Sequence, residues 1–313
     1  MKRYIFGVDI GGTTTKLGAF TEDGKLLSKW KIPTRISDGG NKILIDIKES
    51  IGQKMTDNGW KQEDIIGVGI GVPGPVGEDG VVHKCVNLGW DILDVPKIFE
   101  EMTGFPTKVG NDANVAALGE MWQGGGKGYK NVVMATLGTG VGGGIIINGK
   151  IVTGANGAAG EIGHLPMRDD EKEACGCGKH GCLEQYASAN GLVRLTEKYL
   201  SQSPHCETAL KKYDVITAET ICNEVKNGDD IANLMLNLSM NILGKGFAMI
   251  ACVVNPEVFV IGGGLAQAGD IVIECIEKAY RKYAFHAAQD TEFKLAKLGN
   301  DAGIYGAAKL VLE

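Results

Sequence analysis

What the 313-residue sequence lacks already excludes several classes of protein. It has no uninterrupted apolar run near the roughly 18–20 residues that a membrane span needs. The apolar run after the first basic residues stops at Asp9, which is too short for a signal peptide. The net charge of −6 and the lack of an arginine-rich stripe argue against a nucleic-acid partner. We therefore expect a cytoplasmic protein that binds neither membranes nor nucleic acids.

Several common motifs are missing as well. Neither GxGxxG nor GxxxxGK[ST] occurs between a predicted strand and a predicted helix, which excludes the usual dinucleotide-binding and P-loop folds. No C-x-x-C pair is present, so a thioredoxin-like redox site is excluded. The chain also contains no low-complexity linker. Its length is sufficient for two lobes around a shared cleft.

Glycine, in contrast, is abundant, with 47 residues that cluster beside apolar runs. The segments VDIGGTTTKLGAF and ATLGTGVGGGIII each predict a strand, a turn of glycine and threonine, and a second strand. Successive backbone N–H groups in such turns bind anions well. The two segments lie about 130 residues apart and predict two similar lobes, the alternative being two unrelated hairpins.

The rest of the chain predicts an α/β protein. Strands are expected at 65–72 and 257–261, and the second of these ends in three glycines before a helix at 269–284, a third candidate site for a phosphate or nucleoside. A stripe of Ile231, Leu234, Leu238 and Ile242 predicts a helix facing the core. We expect a small lobe of residues 1–113 plus 300–313 and a large lobe of residues 114–299.

One acidic residue stands out as a candidate base. Asp112 lies between Asn111 and Ala113 in the run VGNDAN, after a predicted strand and before a predicted helix. Phosphoryl transfer needs a base near the attacking hydroxyl group, and Asp112 could supply it while Asn111 holds a substrate hydroxyl. The alternative is an ordinary helix cap, for which both residue types are common.

The run ACGCGKHGCLEQY at 174–186 is a candidate metal site. Its three cysteines have the spacing C-x-C-x₄-C. A disulfide between the first two would close a strained ring, and the cytosol is reducing. Three thiolates and one imidazole form a closed, structural zinc site. The sequence pattern alone leaves open which histidine is the fourth ligand, and His180 is the nearest.

These motifs together resemble the ROK family within the actin-like ATPase and sugar-kinase superfamily. The resemblance rests on DIGGT at 9–13, VPGPV at 72–76, NDAN at 111–114, residues 137–164, CGCGKHGCLE at 175–184 and NP-x₄-IGGG at 255–264. It covers essentially the whole chain, and residues 72–90 look most like the glucokinase branch. It implies a two-lobed actin-like ATPase (ribonuclease H-like) fold with a central cleft and an ATP-dependent hexose kinase, with glucose as the expected substrate.

The resemblance also implies a role for individual residues. Asp112 would be the general base, and sugar contacts would come from Gly74, Asn111, Glu161, His164 and Glu184. ATP and Mg²⁺ would be bound by Asp9, Gly11, Gly12, Thr13, Thr14, Lys16, Thr139, Gly140, Gly262, Gly263 and Gly264. A structural Zn²⁺ would be held by His164, Cys175, Cys177 and Cys182, leaving His180 as an exposed loop residue.

Other interpretations remain within the family. The substrate could be fructose, mannose, N-acetylglucosamine or N-acetylmannosamine, and polyphosphate could replace ATP as the donor. A non-catalytic sugar sensor is a further alternative, against which the intact Asp112 and the two phosphate turns argue. A helix-turn-helix domain, as in the repressors of the family, is not expected because the first predicted strand begins at residue 4. We also expect a homo-oligomer, a dimer or a tetramer.

Overall fold

A computed structural model of the protein describes residues 3–313, which form two compact units. The first unit contains the chain up to Lys130, together with Gly144–Gly160 and Lys297–Glu313. The second contains Asn131–Gly143 and Glu161–Ala296. The expected boundaries between the lobes were at residues 113 and 300, whereas the two units divide after Lys130, Gly143, Gly160 and Ala296.

Both units combine strands and helices. The strands are β1 (Tyr4–Ile10), β2 (Thr14–Thr21), β3 (Leu26–Pro33), β4 (Ile65–Val72), β5 (Thr107–Asn111), β6 (Val132–Leu137), β7 (Val141–Ile147), β8 (Lys150–Ile151), β9 (Val258–Gly262) and β10 (Glu292–Leu295). The α-helices are α1 (Ile43–Asn58), α2 (Val95–Thr103), α3 (Asp112–Gln123), α4 (Glu184–Ala187), α5 (Ala189–Gln202), α6 (Ala218–Lys226), α7 (Asp230–Val254), α8 (Asp270–Tyr283) and α9 (Ala302–Leu310).

The first sheet has the strand order β3-β2-β1-β4-β5. The strands β1 and β2 form an antiparallel hairpin in which Asp9 is paired with Lys16, whereas β4 and β5 run parallel to β1. The predicted strand at 65–72 coincides with β4. Because β1, β4 and β5 are parallel, their carboxyl ends meet at one edge, where Asp9 and Asn111 are found.

The second sheet has the order β8-β7-β6-β9-β10, which is the same order relative to the chain. In each sheet a Gly/Thr turn joins the first two strands in sequence order, the third strand lies beside the second, and the fourth lies on the other side of the first. A further hairpin turn at Asn148-Gly149 joins β7 to β8, and both residues have positive φ angles, as a tight I′-type turn requires. The shared strand order confirms the predicted internal repeat.

The long helix α7 differs from its prediction. Leu234 and Leu238, which were expected to face the core, are 40% and 47% exposed, and the buried face is formed by neighbours such as Met235, Leu236 and Met240. Both faces of this helix are apolar, so the helical period alone could not identify the buried one. By length and composition α7 could also cross a membrane, but half of its most apolar window is buried within the protein, which is typical of a core helix.

The C-terminal helix α9 packs against β1, β4 and α3. The contact is so close that a Cβ at Gly69 or Gly7 would overlap the backbone of α9. Ile304 and Ala308 of this helix are buried with Ile5 and Phe20 of the first sheet. The expected return of the last helix to the first lobe is therefore confirmed, and packing against α9 explains why α3 belongs to the first unit.

Candidate functional site

The residues implicated by the sequence are distributed over both units. The first unit carries Asp9, Gly11, Gly12, Thr13, Thr14, Lys16, Gly74, Asn111 and Asp112. The second carries Thr139, Gly140, Glu161, His164, Cys175, Cys177, Cys182, Glu184, Gly262, Gly263 and Gly264.

In the first unit, the Gly/Thr turn between β1 and β2 is flanked by one acidic and one basic side chain. Lys16 Nζ lies 3.8 Å from Asp9 Oδ2 and donates a hydrogen bond of 2.8 Å to the carbonyl of Asn300. Burial raises the pKa of Asp9, and the charge of Lys16 partly offsets that rise. A Cβ at Gly303 would lie 2.7 Å from Asp9 Oδ2, so only glycine leaves room beside this carboxylate. A half-buried carboxylate next to an anion-binding turn suits a Mg²⁺ ion that accompanies phosphates.

The candidate base Asp112 is the first residue of α3, and Asn111 is its N-cap. Asn111 Oδ1 accepts hydrogen bonds from the backbone N–H groups of Ala113 and Asn114, and Asn111 Nδ2 donates one of 3.1 Å to the carbonyl of Gly74. The cap alternative is thus confirmed for Asn111, which also joins the predicted sugar-binding turn to the start of α3. Asp112 Oδ1 accepts a hydrogen bond of 2.8 Å from Ala113 N–H.

The buried Cys85 packs against the turn that carries Gly74. Cys85 Sγ donates a hydrogen bond of 3.0 Å to the carbonyl of Pro73, and a Cβ at Gly74 would lie 3.2 Å from Cys85 Cβ. Burial raises the pKa of Cys85, and the negative charge of Asp112 adds to the rise. The residues Gly74, Asn111 and Asp112 therefore form one connected group in the first unit.

In the second unit, the turn between β6 and β7 contacts Glu184. A Cβ at Gly140 would lie 2.6 Å from Glu184 Oε2, whereas a Cβ at Gly138 would meet nothing within 4 Å. The carbonyl of Gly138 accepts a hydrogen bond of 2.8 Å from Ala189 N–H at the start of α5. Thr139, at the tip of the turn, is exposed. A side chain at position 140 would therefore displace the Glu184 carboxylate.

The three cysteines of the candidate metal site meet His164, and His180 is not in the cluster. One ligand atom from each of His164, Cys175, Cys177 and Cys182 lies within 4.8 Å of the other three. Cys177 Sγ is 3.6 Å from Cys182 Sγ, and Cys175 Sγ is 3.7 Å from His164 Nδ1. A tetrahedral zinc ion with Zn–S bonds of about 2.3 Å requires sulfur atoms about 3.8 Å apart. The donor set and its spacing therefore fit Zn²⁺.

Two glutamates border the same histidine. His164 Nδ1, on the side of Cys175, is 3.7 Å from Glu184 Oε1, while Nε2 is 4.0 Å from Glu161 Oε2. Glu184 Oε1 also accepts a hydrogen bond of 2.8 Å from the Cys175 thiol, whose pKa burial raises to about 12. The close approach of Gly163 to Val141, where a Cβ would overlap the carbonyl oxygen, fixes this segment against β7. Glu161, His164 and Glu184 thus lie together beside the cysteines, as the sequence predicted.

A large cavity in the second unit lies beside the third glycine cluster. Its volume is about 700 Å³, and its wall includes Gly264, Asn190 and Val193. Polar side chains also line it, namely Thr217, Glu219, Asn223, Lys226 and Gln267. A Cβ at Gly263 would lie 2.5 Å from the backbone of Leu137, and the φ angle of Gly263 is +87°, so glycine is required on both counts. A cavity of this size is typical of a site for a small molecule.

Comparison with known proteins decides the family. The ROK family model matches residues 5–313. The chain belongs to the ROK family. A glucokinase of Halalkalibacterium halodurans is 41% identical over 315 residues, which cover 99% of this chain and 96% of the relative. A ROK family glucokinase of Streptomyces griseus, solved in complex with glucose and AMPPNP, is 34% identical with a TM-score of 0.74 and 98% coverage of both chains.

The family also contains kinases named for other sugars. An N-acetylgalactosamine kinase of a Shewanella species is 32% identical, with 97% of this chain and 96% of the relative covered. The predicted membership of the ROK family and the predicted actin-like ATPase fold are both confirmed.

The motifs of the ROK family did not identify every residue around the site. The polar side chains of the cavity come from α5, α6 and the segment before α8. Glu219, Asn223 and Lys226 have the spacing of one face of α6, but no sequence pattern links that face to Asn190 or Gln267. Only the folded chain brings them together. The segment TAETICNEVK did carry a helix signal, because Thr217 caps α6, but a cap indicates nothing about the ligand.

Proposed function

We propose that the protein is an ATP-dependent glucokinase that transfers the γ-phosphoryl group of ATP to the C6 hydroxyl group of D-glucose. The observation that carries the proposal is full-length similarity to glucokinases, and the position of Asp112 at the start of α3 supports it. The Streptomyces griseus relative binds glucose and an ATP analogue, which supports the same pair of ligands here.

Asp112 would accept the proton of the C6 hydroxyl group as that oxygen attacks the γ-phosphorus atom. Asp112 is the first residue of α3 and directly follows the capping residue Asn111. Asn111 can hold a neighbouring sugar hydroxyl group while its amide stays fixed by the cap and by Gly74. A base of this kind contributes roughly 10²–10⁴-fold to the rate.

The nucleotide would be bound by the two Gly/Thr turns and by the cavity in the second unit. Backbone N–H groups of Gly11–Thr14 and of Thr139 and Gly140 suit phosphate oxygens. The cavity beside Gly264 has the size and the mixed apolar and polar wall that a nucleoside needs. When bound, Mg²⁺ would neutralise phosphate charge, and Asp9 would hold it, directly or through water.

The zinc site would act on the sugar through its ligand His164. A histidine that binds zinc through Nδ1 keeps Nε2–H as a fixed donor, and Nε2 is the nitrogen nearer to Glu161. The carboxylates of Glu161 and Glu184 could then accept hydrogen bonds from adjacent sugar hydroxyl groups, and His164 Nε2–H could donate one. A sugar that lacks one of these hydroxyl groups leaves a polar side chain unpaired, which is the basis of strong discrimination.

The decisive test is Asp112→Asn. We expect it to lower kcat by at least 10²-fold while glucose binding remains measurable by calorimetry, because the side chain keeps its size and loses its basicity. Asp94→Asn is the matched control: Asp94 caps α2 in the same unit, and asparagine caps equally well. Wild-type turnover by Asp112→Asn would refute Asp112 as the base.

A hexose panel separates the remaining candidates. ADP release would be measured with glucose, fructose, mannose, N-acetylglucosamine, N-acetylmannosamine and N-acetylgalactosamine, the last because of the Shewanella relative. Repeating the panel with polyphosphate tests the alternative donor. Sugar binding without turnover on any substrate would support a sensor instead of a kinase.

We also propose a cytoplasmic homo-oligomer. All eight cysteines are free, as expected in a reducing compartment. The outer face of α7 exposes Leu234, Leu238, Met249 and Val253, and a second copy of the chain would cover these apolar side chains. Leu238→Glu should shift the mass measured by light scattering to that of the monomer, and an unchanged mass would exclude this face. Cell fractionation tests the location.

A further inference from the structure

An arginine from α5 joins both ends of the segment that carries the three cysteines. Arg194 Nη2 lies 2.9 Å from Glu171 Oε2, and Nη1 lies 3.1 Å from Glu173 Oε2. The same guanidinium group donates hydrogen bonds of 3.0 and 3.3 Å to the carbonyl of Gln185, and it lies 5.3 Å from the ring of Tyr186. We call these five residues the Arg194 clamp and residues 171–185 the cysteine loop.

Further hydrogen bonds close the loop at the same place. Gln185 Nε2 donates to the carbonyl of Glu173 at 2.9 Å, and Gln185 Oε1 accepts from Cys182 N–H at 3.0 Å. Tyr186 Oη donates to Glu171 Oε2 at 2.7 Å. The two ends of the cysteine loop are therefore connected by side chains, independently of any ion among the sulfur atoms.

The burial of the Arg194–Glu171 pair distinguishes it from an ordinary surface ion pair, whereas Glu173, the second carboxylate of the clamp, is 62% exposed. The side chain of Glu171 is 6% exposed and that of Arg194 is 24% exposed. In the same region, Arg168 and Asp170 also form a two-contact ion pair, but their side chains are 50% and 70% exposed. Exposed pairs contribute little, whereas removing one partner of a buried, hydrogen-bonded pair is costly.

We propose that Arg194 is a positioning residue that holds the cysteine loop in its folded arrangement before a metal ion binds and so sets the affinity for both zinc and the sugar. The loop ends on Gln185, directly after Glu184, and it contains Cys175, Cys177 and Cys182. Without the contacts of Arg194, the two ends of the cysteine loop are no longer held together. The positions of Glu184 and of the three cysteines are then no longer fixed. The part of this proposal that concerns the sugar rests on the proposed function; the order of the loop does not.

The effect on the nucleotide should be smaller. Val193 and Asn190, on the same helix, line the cavity in the second unit, whereas Arg194 contacts the loop. Because α5 is also held by its capping residue Ser188, loss of the Arg194 side chain leaves the helix in place. We therefore expect loss of the Arg194 side chain to raise the KM for the sugar more than the KM for ATP.

The test compares Arg194→Met with Arg168→Met, which removes the exposed pair from the same region. The metal-free proteins, prepared with a chelator, are treated with trypsin, and cleavage after Lys172 and Lys179 is followed by mass spectrometry. We expect cleavage of Arg194→Met to be at least about tenfold faster than that of wild type and of Arg168→Met. Equal cleavage rates in the two variants would overturn the proposal.

The second measurement compares the Zn²⁺ affinity and the KM values for glucose and ATP. Zn²⁺ affinity, measured by competition with a chromophoric chelator, should fall about 10- to 100-fold in Arg194→Met, the usual range for residues behind the metal ligands. The KM for glucose should rise more than that for ATP. Equal rises in both KM values, or an unchanged Zn²⁺ affinity, would contradict the role in positioning. If the protein phosphorylates no sugar, the proposed function fails, while the cleavage and Zn²⁺ results still decide the proposal.

A second variant separates a local effect on the cysteine loop from general unfolding. If Arg194→Met lacks a cooperative thermal transition, Arg194→Lys carries the same comparison, since it keeps the charge but loses the planar fork. The double variant Arg194→Met/Glu171→Gln should be no more sensitive to trypsin than Arg194→Met alone, because both changes break one interaction. Fully additive effects would show that the two side chains act separately and would refute the clamp.

Discussion

Replacement of Gly140 tests the link between the turn that joins β6 to β7, which we propose to bind phosphate, and the proposed sugar contact Glu184. An alanine Cβ at this position would lie 2.6 Å from Glu184 Oε2, and real Cβ contacts are essentially never below 3.0 Å. The carboxylate must then move by roughly 0.8 Å or more to reach an ordinary contact, which exceeds the tolerance of about 0.5 Å for a preorganised site. The backbone itself need not move, because the obstacle is the end of a flexible side chain.

The expected magnitude follows from the role proposed for Glu184. A hydrogen bond to a charged group contributes about 1.5–3 kcal/mol. If the displaced carboxylate loses one such bond to the sugar, the Kd for glucose rises roughly 10- to 100-fold. Fold stability should change by less than about 1 kcal/mol, because Gly140 does not have a positive φ angle and alanine is allowed there.

Gly138→Ala is the matched control, since its Cβ would meet nothing within 4 Å in the same turn. Glucose binding would be measured by calorimetry without nucleotide, and thermal unfolding would be measured for both variants. If Gly140→Ala binds glucose as tightly as Gly138→Ala does, Glu184 does not contact the sugar from this position, and the argument fails.

Three further predictions concern the metal, the acid stability and the C-terminal segment. Cys175→Ala should lose bound zinc in elemental analysis and raise the KM for glucose far more than that for ATP, whereas equal effects on both would exclude a link between metal and sugar. Arg194, then Tyr186, lowers the pKa of Glu171 from 4.5 to about 2, so the stabilisation by this carboxylate is complete above pH 4.5 and is lost as the pH falls towards 2. In urea unfolding, Glu171→Gln should therefore be less stable than wild type at pH 7, and the difference should shrink below pH 4.5 and nearly vanish only at about pH 2 and below; a constant difference would disprove the linkage. Glu120 is fully buried and accepts hydrogen bonds from Gly125, Lys297 and Leu298 N–H. Glu120→Ala should lower the unfolding free energy by at least about 3 kcal/mol, and a loss as small as that of the exposed Glu101→Ala would contradict this.

The elements with a strong local signal were predictable from the sequence. The strand at 65–72 and both Gly/Thr hairpins combine clear apolar runs with clear turn residues. The joint position of His164 and the cysteines was also predicted, but through the family motif, because spacing along the chain favoured His180 equally well.

The remaining features depend on contacts between distant parts of the chain. The buried face of α7 was wrongly predicted because this helix is apolar on more than one side and only packing selects the face. Arg194 lies nine residues beyond Gln185 and more than twenty beyond Glu171, in a sequence context typical of any surface helix. Gly140 was predicted as a phosphate-binding residue, and its contact with Glu184 depends on the exact path of the turn.

The packing of α9 has a consequence for the synthesis of the protein. The first unit is discontinuous along the chain, and its sheet needs Ile304 and Ala308 to cover Ile5 and Phe20. During translation, β1 leaves the ribosome nearly 300 residues before its packing partner α9 does. Most of the second unit is synthesised in that interval and can fold as a unit. The unit that begins the protein is therefore the last to complete its core, and its uncovered sheet is the surface that a chaperone would need to protect on the nascent chain.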